Sequence, residues 1–465
     1  MNISDLTNKE VGVLGYGQEG QAIADYLVGR GITPTIYDAK TLEQLPTEVL
    51  AKLHHNDLKF KGGDDYLNSL LESSDIIFRS PGIRIPPELI NQCKEKNITL
   101  TSQTAWFFTH CPAKIIGVTG TKGKGTTSSL ISEILIKARE QLQITGNVYL
   151  TGNIGKTQPL SFLDSLTEND LIVYELSSFQ LQDLKVSPHL GICLMVTEDH
   201  LDYHEDLNEY YEAKSAISKY QSQSDILIYN TDYEASKKIA QYGNGTKWVV
   251  SKNPLTTNGV QISDEQLIFH GVEHANVVID ASGRLLRGKH NLENIAAASL
   301  AGLLLGVTKG VVEQAIAEFK GLKHRLQFVK KIGGVSYFND SISTIPETTI
   351  AALQSFSEPV ILLLGGASKN LNYDDLILKL STQTNLKSVV TVGQTGEEIF
   401  KKLKSLNFNK TLFGPFLDFK DAVESAKSQA TSGDVVLLSP AATSFDMFKS
   451  YADRGEQFIK IVDQF

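Results

Sequence analysis

At 465 residues the chain exceeds what one hydrophobic core usually supports, so about two to three domains are expected. Its 44 basic and 53 acidic residues leave a net charge of −9, which gives no electrostatic reason to bind a nucleic-acid backbone. No apolar run approaches the length of a membrane span, and Cys93, Cys111 and Cys193 are too few and too scattered for a disulfide framework or a metal pattern.

Met1 to Glu10 is polar and lacks the charged-then-apolar pattern of an export signal. The expectation is a cytoplasmic monomer with neither nucleic acid nor membrane as partner. Val11-Gly12-Val13-Leu14 reads as a short strand leading into Gly15-Tyr16-Gly17-Gln18-Glu19-Gly20, followed by a helical stretch with Ala22, Ile23, Tyr26 and Leu27 apolar. Thr33 to Asp38 reads as a second strand ending in an acid. The combination is a dinucleotide-type fingerprint: glycines admit a pyrophosphate to a helix N-terminus, and an acid about twenty residues on can bind a hydroxylated ring. It does not say which nucleotide. Asp75 to Ile83 is a further strand ending in Ser80-Pro81-Gly82, which spacing alone leaves as a plain turn.

Ile115-Ile116-Gly117-Val118-Thr119-Gly120-Thr121-Lys122-Gly123-Lys124-Gly125-Thr126-Thr127 reads as an apolar strand, a glycine-rich turn and then a helix through Leu130, Ile131, Ile134 and Leu135. That is the layout of a phosphate cradle, in which converging backbone N–H groups and a helix N-terminus hold an anion and Lys124 reaches the terminal phosphates. The general fingerprint places four residues between its glycines and a hydroxyl after the lysine. Here five separate Gly117 from Gly123, and Gly125 stands where the hydroxyl belongs, so Thr126 is the candidate hydroxyl for Mg²⁺.

Thr151 to Gly155 follows, then the buried-looking strand Leu171 to Leu176. A carboxylate ending such a strand is costly unless a cation meets it, so Glu175 is a metal-ligand candidate. Gly191 to Val196 is another apolar strand, ending in Thr197-Glu198-Asp199-His200-Leu201-Asp202-Tyr203-His204. A zinc reading of His200, Asp202 and His204 is set aside, because a phosphate-loop enzyme uses Mg²⁺, which prefers oxygen ligands. Spacing alone makes Lys214, in Tyr210-Tyr211-Glu212-Ala213-Lys214, a surface lysine. Residues 253 to 287 read as an inserted hairpin, and Gly288-Lys289-His290-Asn291-Leu292-Glu293-Asn294 opens an alanine-rich helix.

Strand-like runs recur at Val335 to Phe338, Val360 to Leu364, Ser388 to Val392 and Val435 to Leu438, alternating with helical segments such as Glu397 to Leu406 and Phe419 to Ala430. Alternation implies another parallel sheet. Polar loops follow three of the strands: Asn339 to Thr344, Gly365 to Lys369, and Ser439 to Ser444. Ligands of doubly wound sheets bind beyond the carboxyl ends of strands, so these loops form a candidate second pocket, suited to a carboxylate. The fold class is α/β in three domains: a Rossmann-like domain over 1–110, a central mononucleotide-binding ATPase domain of P-loop type over 111–322, and a Rossmann-like C-terminal domain over 323–465.

In order along the chain, Gly120-Thr121-Lys122-Gly123-Lys124, Glu175-Leu176-Ser177-Ser178-Phe179-Gln180, Thr197-Glu198-Asp199-His200-Leu201-Asp202, Gly288-Lys289-His290-Asn291 with Asn294, and His324-Arg325 resemble the successive signatures of the Mur ligases. These are ATP-dependent enzymes that build the peptide of bacterial cell-wall precursors. Leu438 to Phe448, with Arg454-Gly455 beyond, resembles the branch that adds glutamate to UDP-N-acetylmuramoyl-L-alanine. The resemblance spans essentially the whole chain.

The resemblance implies roles. Gln18, Glu19, Asp38, Ser80, Pro81, Gly82 and Asn153 would hold the UDP-linked substrate. Gly120, Thr121, Lys122, Gly123, Lys124, Gly125, Thr126, Asn291, Asn294, Arg325 and Asp340 would hold ATP. Thr126, Glu175, His200 and Lys214 would hold Mg²⁺, with Lys214 matching the family lysine that becomes carbamylated, and Lys124, His200 and Lys214 forming the catalytic set. Thr344, Lys369, Ser444, Phe445 and Tyr451 would receive glutamate.

The implied chemistry moves the γ-phosphoryl group of ATP onto the alanyl carboxylate, because a carboxylate oxygen is a poor leaving group, and the glutamate amine then displaces phosphate. Joining three ligands implies closure of the C-terminal domain, which excludes water. One loop departs from the family. Where Asp-Ser-Lys-Ala-Thr-Asn is common, Asp340-Ser341-Ile342-Ser343-Thr344-Ile345 stands, resembling a divergent branch that adds L-glutamate. D-Glutamate is the expected amino acid and L-glutamate the alternative. A folylpolyglutamate synthase would share the central fold without needing residues 1–110; a nicotinamide oxidoreductase would use only the first fingerprint; a non-catalytic nucleotide-binding module would have no activity to lose at Lys124.

Overall fold

The computed structural model describes residues 2–154, 157–272, 277–368 and 371–465. The chain forms two compact units, one of residues 1–279 with 293–312 and one of 280–292 with 313–465. Among the described residues the strands form sheets of five, nine and six.

The first unit holds two sheets. The N-terminal sheet runs Lys59–Gly62, Thr35–Asp38, Val11–Leu14, Ile76–Arg79, Thr99–Ser102, all parallel, so the chain reverses its direction of winding at Val11–Leu14. Ligand loops collect at such a switch point. The glycine turn lies there and is packed to its limit. A Cβ on Gly20 would overlap the carbonyl oxygen of Gly15, and Gly15 itself has φ +88°.

In the larger sheet the strand Lys114–Thr119 lies between Leu171–Glu175 and Leu190–Cys193, parallel to both. Val118 is level with Glu175 and Thr119 with Cys193, so the phosphate turn, the acid and the His200 segment leave the sheet side by side. The expected hairpin is present as Gly259–Ser263 against Gln266–His270. Burial of apolar side chains, the main favourable term in folding, joins the two sheets through one core. The helix Gln103–His110 inserts Trp106, Phe107 and Phe108 among Val11, Ile36, Tyr174 and Leu181, with the Phe107 and Phe108 rings 5.7 and 5.3 Å from Tyr174.

The second unit is a six-stranded sheet in the order Gln327–Ile332, Val335–Asn339, Val435–Leu438, Val360–Gly365, Leu386–Val392, Thr411–Phe416. Gln327–Ile332 is antiparallel, and the rest of the sheet is parallel. Separate apolar clusters cover its two faces, one around Leu362, Leu376 and Leu403, the other around Leu363, Val423 and Phe458. That is why the central strands read as unbroken apolar runs.

Gly20→Ala is expected to destabilise the first unit by about 1–3 kcal/mol, the usual range for overpacking. Thermal melts would measure it, and a melting temperature equal to the parent's would contradict the packing described for the glycine turn.

Candidate active site

The phosphate turn takes the shape its glycines allow. Gly120 has φ +152° and Gly123 +87°, and Gly123 caps the helix Lys124–Lys137. Left-handed backbone at Gly123 costs glycine little, and a Cβ there would collide with the side-chain amide of Asn294. Thr121 is committed to the protein: its Oγ1 donates to the Thr197 carbonyl at 3.0 Å, accepts from Thr197 N at 3.0 Å, and lies 2.9 Å from the Tyr210 hydroxyl. The phosphate turn and the His200 segment are thereby locked together.

Two lysines converge on one carbonyl. Lys124 Nζ donates to Gly120 O at 3.0 Å, and Lys214 Nζ donates to the same oxygen at 3.1 Å and to Thr119 Oγ1 at 3.4 Å. Lys214 is only 1% exposed, and its Nζ sits 4.7 Å from the Tyr210 ring centre. Spacing had made it a surface lysine; the structure corrects that, because the helix Leu207–Ser215 is covered along the face carrying Tyr210 and Lys214. Burial, with Lys124 close by, brings its ammonium down to about 7. A neutral amine is therefore available near neutrality.

Glu175 is buried at the end of Leu171–Glu175. Its carbonyl accepts from Asn153 N at 3.1 Å. His200 is half exposed with φ +54°, a strained setting for a non-glycine residue, and its ring lies 4.9 Å from Phe179. Thr126 is buried and Lys122 exposed, with Gly125 between the phosphate lysine and Thr126. His204 is buried, with Nε2 3.0 Å from Ser178 Oγ and, among the described residues, no hydrogen-bond partner at Nδ1.

On the N-terminal sheet, Asp38 uses both carboxylate oxygens to hold its loops, accepting from Tyr16 N at 2.8 Å and Lys40 N at 3.0 Å. Ser80 Oγ donates to Gly15 O at 2.9 Å, so the Ser80-Pro81-Gly82 turn is stapled to the glycine turn. Glu19 Oε1 accepts from Gln180 Nε2 at 3.0 Å, and burial raises its carboxyl above the usual range. The glycine turn, Asp38, the Ser80 to Gly82 turn and Gln180 border one cavity of about 710 Å³. Gln18, Glu19, Asp38, Ser80, Pro81 and Gly82 line one part, and Asn153, Gly120, Lys124, His200 and Lys214 the other.

In the second unit the polar loops are gathered by two buried groups. Asp340 accepts from Ser343 Oγ at 2.5 Å, Ser439 Oγ at 2.8 Å and Leu326 N at 3.0 Å. Arg454, 2% exposed, donates to Ser341 Oγ and O, Ala442 O and Thr443 O at 2.9–3.1 Å. Thr344 and Ser444 lie on the loops so joined, while Phe445 is 73% and Tyr451 41% exposed. Arg325 is exposed, and Asn291 donates from Nδ2 to the Arg287 carbonyl at 2.5 Å. Lys369 lies outside the described residues. Sequence reasoning gave no role to Arg454 or Arg79; an arginine within an apolar run, as in Ile76–Arg79, was the available signal.

A glycine-lined turn with two lysines, sharing one cavity with a dinucleotide-type turn, is the layout of a nucleotide-using α/β enzyme. Family models agree: residues 9–102 match the MurD-like N-terminal domain of Mur ligases, 118–302 the Mur ligase middle domain, and 324–442 the Mur ligase glutamate ligase domain. The chain is 36% identical to UDP-N-acetylmuramoylalanine--D-glutamate ligase of Clostridium kluyveri, covering 98% of this chain and 96% of that one. It is also 36% identical to the ligase of the same name from Acetivibrio thermocellus, covering 98% and 97%. A solved structure of similar fold is UDP-N-acetylmuramate-alanine ligase from Thermotoga maritima, with TM-score 0.54, 18% identity, and coverage of 98% of this chain and all of that one. The chain belongs to the Mur ligase family and is an ATP-dependent ligase that forms amide bonds.

Asp340 has a measurable pH signature. Burial pushes its carboxyl from 3.8 up to about 6, so the folded state holds the proton more tightly than the unfolded chain. Its stabilising contribution is complete below 3.8 and lost as the pH rises through about 6. Asp340→Asn cannot ionise and is expected to gain stability relative to the parent between about pH 4 and 7. Paired thermal melts with parallel pH dependence would contradict it.

Proposed function

We propose that the chain joins D-glutamate to the alanyl carboxylate of UDP-N-acetylmuramoyl-L-alanine, at the expense of ATP, in peptidoglycan precursor synthesis. The observation that carries the reading is the single cavity bordered by the dinucleotide-type turn at one part and Lys124, His200 and Lys214 at the other. Relatives named as D-glutamate ligases at 33–36% identity over nearly the whole chain support the amino acid. The domain boundaries 1–110, 111–322 and 323–465 are part of this proposal.

In this reading the glycine turn and Ser80 to Gly82 take the diphosphate of the nucleotide-sugar, and Asp38 lies toward the uracil. Asn153 contacts the muramoyl-alanine part. The helix N-terminus at Lys124, with Gly120 to Thr126, takes the ATP phosphates, and Asn291, Asn294, Arg325 and Asp340 take adenine and ribose. Lys124 leaves the Gly120 carbonyl for the γ-phosphoryl group and neutralises charge as that group passes to the alanyl carboxylate. The glutamate amine, oriented by Thr344, Lys369, Ser444, Phe445 and Tyr451, attacks the acyl carbon, and phosphate leaves from the tetrahedral intermediate.

Magnesium fits the donors present. Thr126 and Glu175 offer oxygens and His200 a nitrogen, and among the described residues no group of three or more acidic, histidine or cysteine side chains could cage a metal alone. That suits an ion shared with nucleotide phosphates and water, which supplies charge neutralisation when bound. Lys214 as an ammonium has no lone pair for a metal, and as a neutral amine it is a poor match for Mg²⁺, which prefers oxygen donors. Carbamylated, it becomes an anion, and its repulsion with Lys124 becomes attraction. With ¹³C-bicarbonate a carbamate resonance is expected from the parent and not from Lys214→Arg; the same spectrum from both would remove Lys214 from the metal set.

The testing experiment is phosphate release with UDP-N-acetylmuramoyl-L-alanine, ATP and Mg²⁺, supplying D- or L-glutamate. Turnover with D-glutamate is expected, falling at least ~100-fold in Lys124→Ala, the scale of losing a transition-state charge partner. Turnover with L-glutamate alone would transfer the reading to the alternative that Ile342 and Ile345 raise. Turnover with neither would contradict it.

A further inference from the structure

Arg79 closes the strand Ile76–Arg79, one residue before the Ser80-Pro81-Gly82 turn. Its side chain is 2% exposed and leaves its own sheet for the layer carrying the phosphate turn. Nε and Nη2 both donate to Asp183 Oδ2, at 2.9 and 2.5 Å, and Nη2 also donates to the Phe179 carbonyl at 3.3 Å. Nη1 donates to the Ile83 carbonyl at 2.7 Å and the Tyr203 hydroxyl at 2.8 Å. The Tyr203 hydroxyl in turn donates to the Pro81 carbonyl at 3.0 Å. Every N–H of the guanidinium is thus used, some on the turn and the others on the larger sheet's loops.

Those loops belong to the cavity. Phe179 and His200 line it, the Phe179 ring is 4.3 Å from Tyr203, and Tyr203 N and His204 N both donate to the His200 carbonyl. The Glu19–Gln180 hydrogen bond ties the glycine turn to the same short helix, Ser178–Leu181. A lysine offers three donors from one point and cannot span these acceptors, whereas the planar fork of arginine can.

We propose that Arg79 is a positioning residue for the ligase: with Asp183 and Tyr203 it fixes the Pro81–Ile83 turn against the His200 segment. It thereby sets the span between the diphosphate of the nucleotide-sugar and the carboxylate to be phosphorylated. The proposal rests on the function proposed above. A bridge of purely structural value predicts otherwise, because a buried ion pair replaced by apolar side chains of similar volume often loses no stability. The apolar pair keeps the packing and discards the bonds to the turn.

The experiment compares the full-length parent with Arg79→Met, Arg79→Met/Asp183→Leu and Tyr203→Phe, measuring thermal stability and KM for UDP-N-acetylmuramoyl-L-alanine and for ATP. Tyr203→Phe leaves every charge paired, so it folds even if the first variant does not. We expect KM for the nucleotide-sugar to rise about tenfold, or ~1.4 kcal/mol, in both Arg79 variants, and less in Tyr203→Phe, while KM for ATP holds. The double variant recovers the stability lost by the single one without recovering KM. A double variant with parental KM, or Tyr203→Phe with parental KM, overturns the proposal. A parent that does not turn over this substrate instead overturns the function reading.

Discussion

Two lysine side chains donate to one backbone oxygen at the heart of this enzyme, and in a low-polarity interior that closeness favours the loss of a proton from Lys214. The carbonyl of Gly120 is where Lys124 and Lys214 meet. Much of the surrounding structure brings them there. Gly120 and Gly123 supply backbone shapes that other residues resist, Thr121 staples the turn to the His200 segment, and Tyr210 covers Lys214. Placing fixed charge before the substrate arrives avoids reorganising it during the reaction, which is the main source of such catalysis.

The shared core of the first unit gives this charge something to act on. Because Trp106, Phe107 and Phe108 pack among residues of both sheets, the dinucleotide-type turn and the phosphate turn have a fixed relation within that unit. Arg79 and Glu19 add directional bonds to this non-directional packing. Apolar burial sets how firmly the sheets adhere, and hydrogen bonds decide the register in which they do so.

Much of this was legible in the residues. Buried parallel strands announced themselves as apolar runs, and both glycine turns were readable because their backbone shapes need glycine. Glu175 was legible as the acid that ends a buried strand. What escaped was decided by tertiary contact. Lys214 lies on a helix with polar neighbours, and only the layer above it makes it buried. The edge strands Lys59–Gly62 and Thr99–Ser102 are largely polar and short, so their pairing with neighbours defines them rather than their pattern. Arg79 and Arg454 act on carbonyls distant in sequence, and no local spacing encodes such partners. Ser80 to Gly82 looked like any turn until its staple to Gly15 put it on the cavity wall.

The central claim is that the lysine-lined turn delivers a phosphoryl group to a carboxylate before any amide forms. The direct measurement is oxygen transfer: UDP-N-acetylmuramoyl-L-alanine carrying oxygen-18 in its carboxylate is turned over with ATP and glutamate, and the phosphate is analysed by mass. An acyl phosphate requires the departing phosphate to take one carboxylate oxygen with it, so labelled phosphate is predicted at each turnover. Unlabelled phosphate with amide product formed would contradict the account.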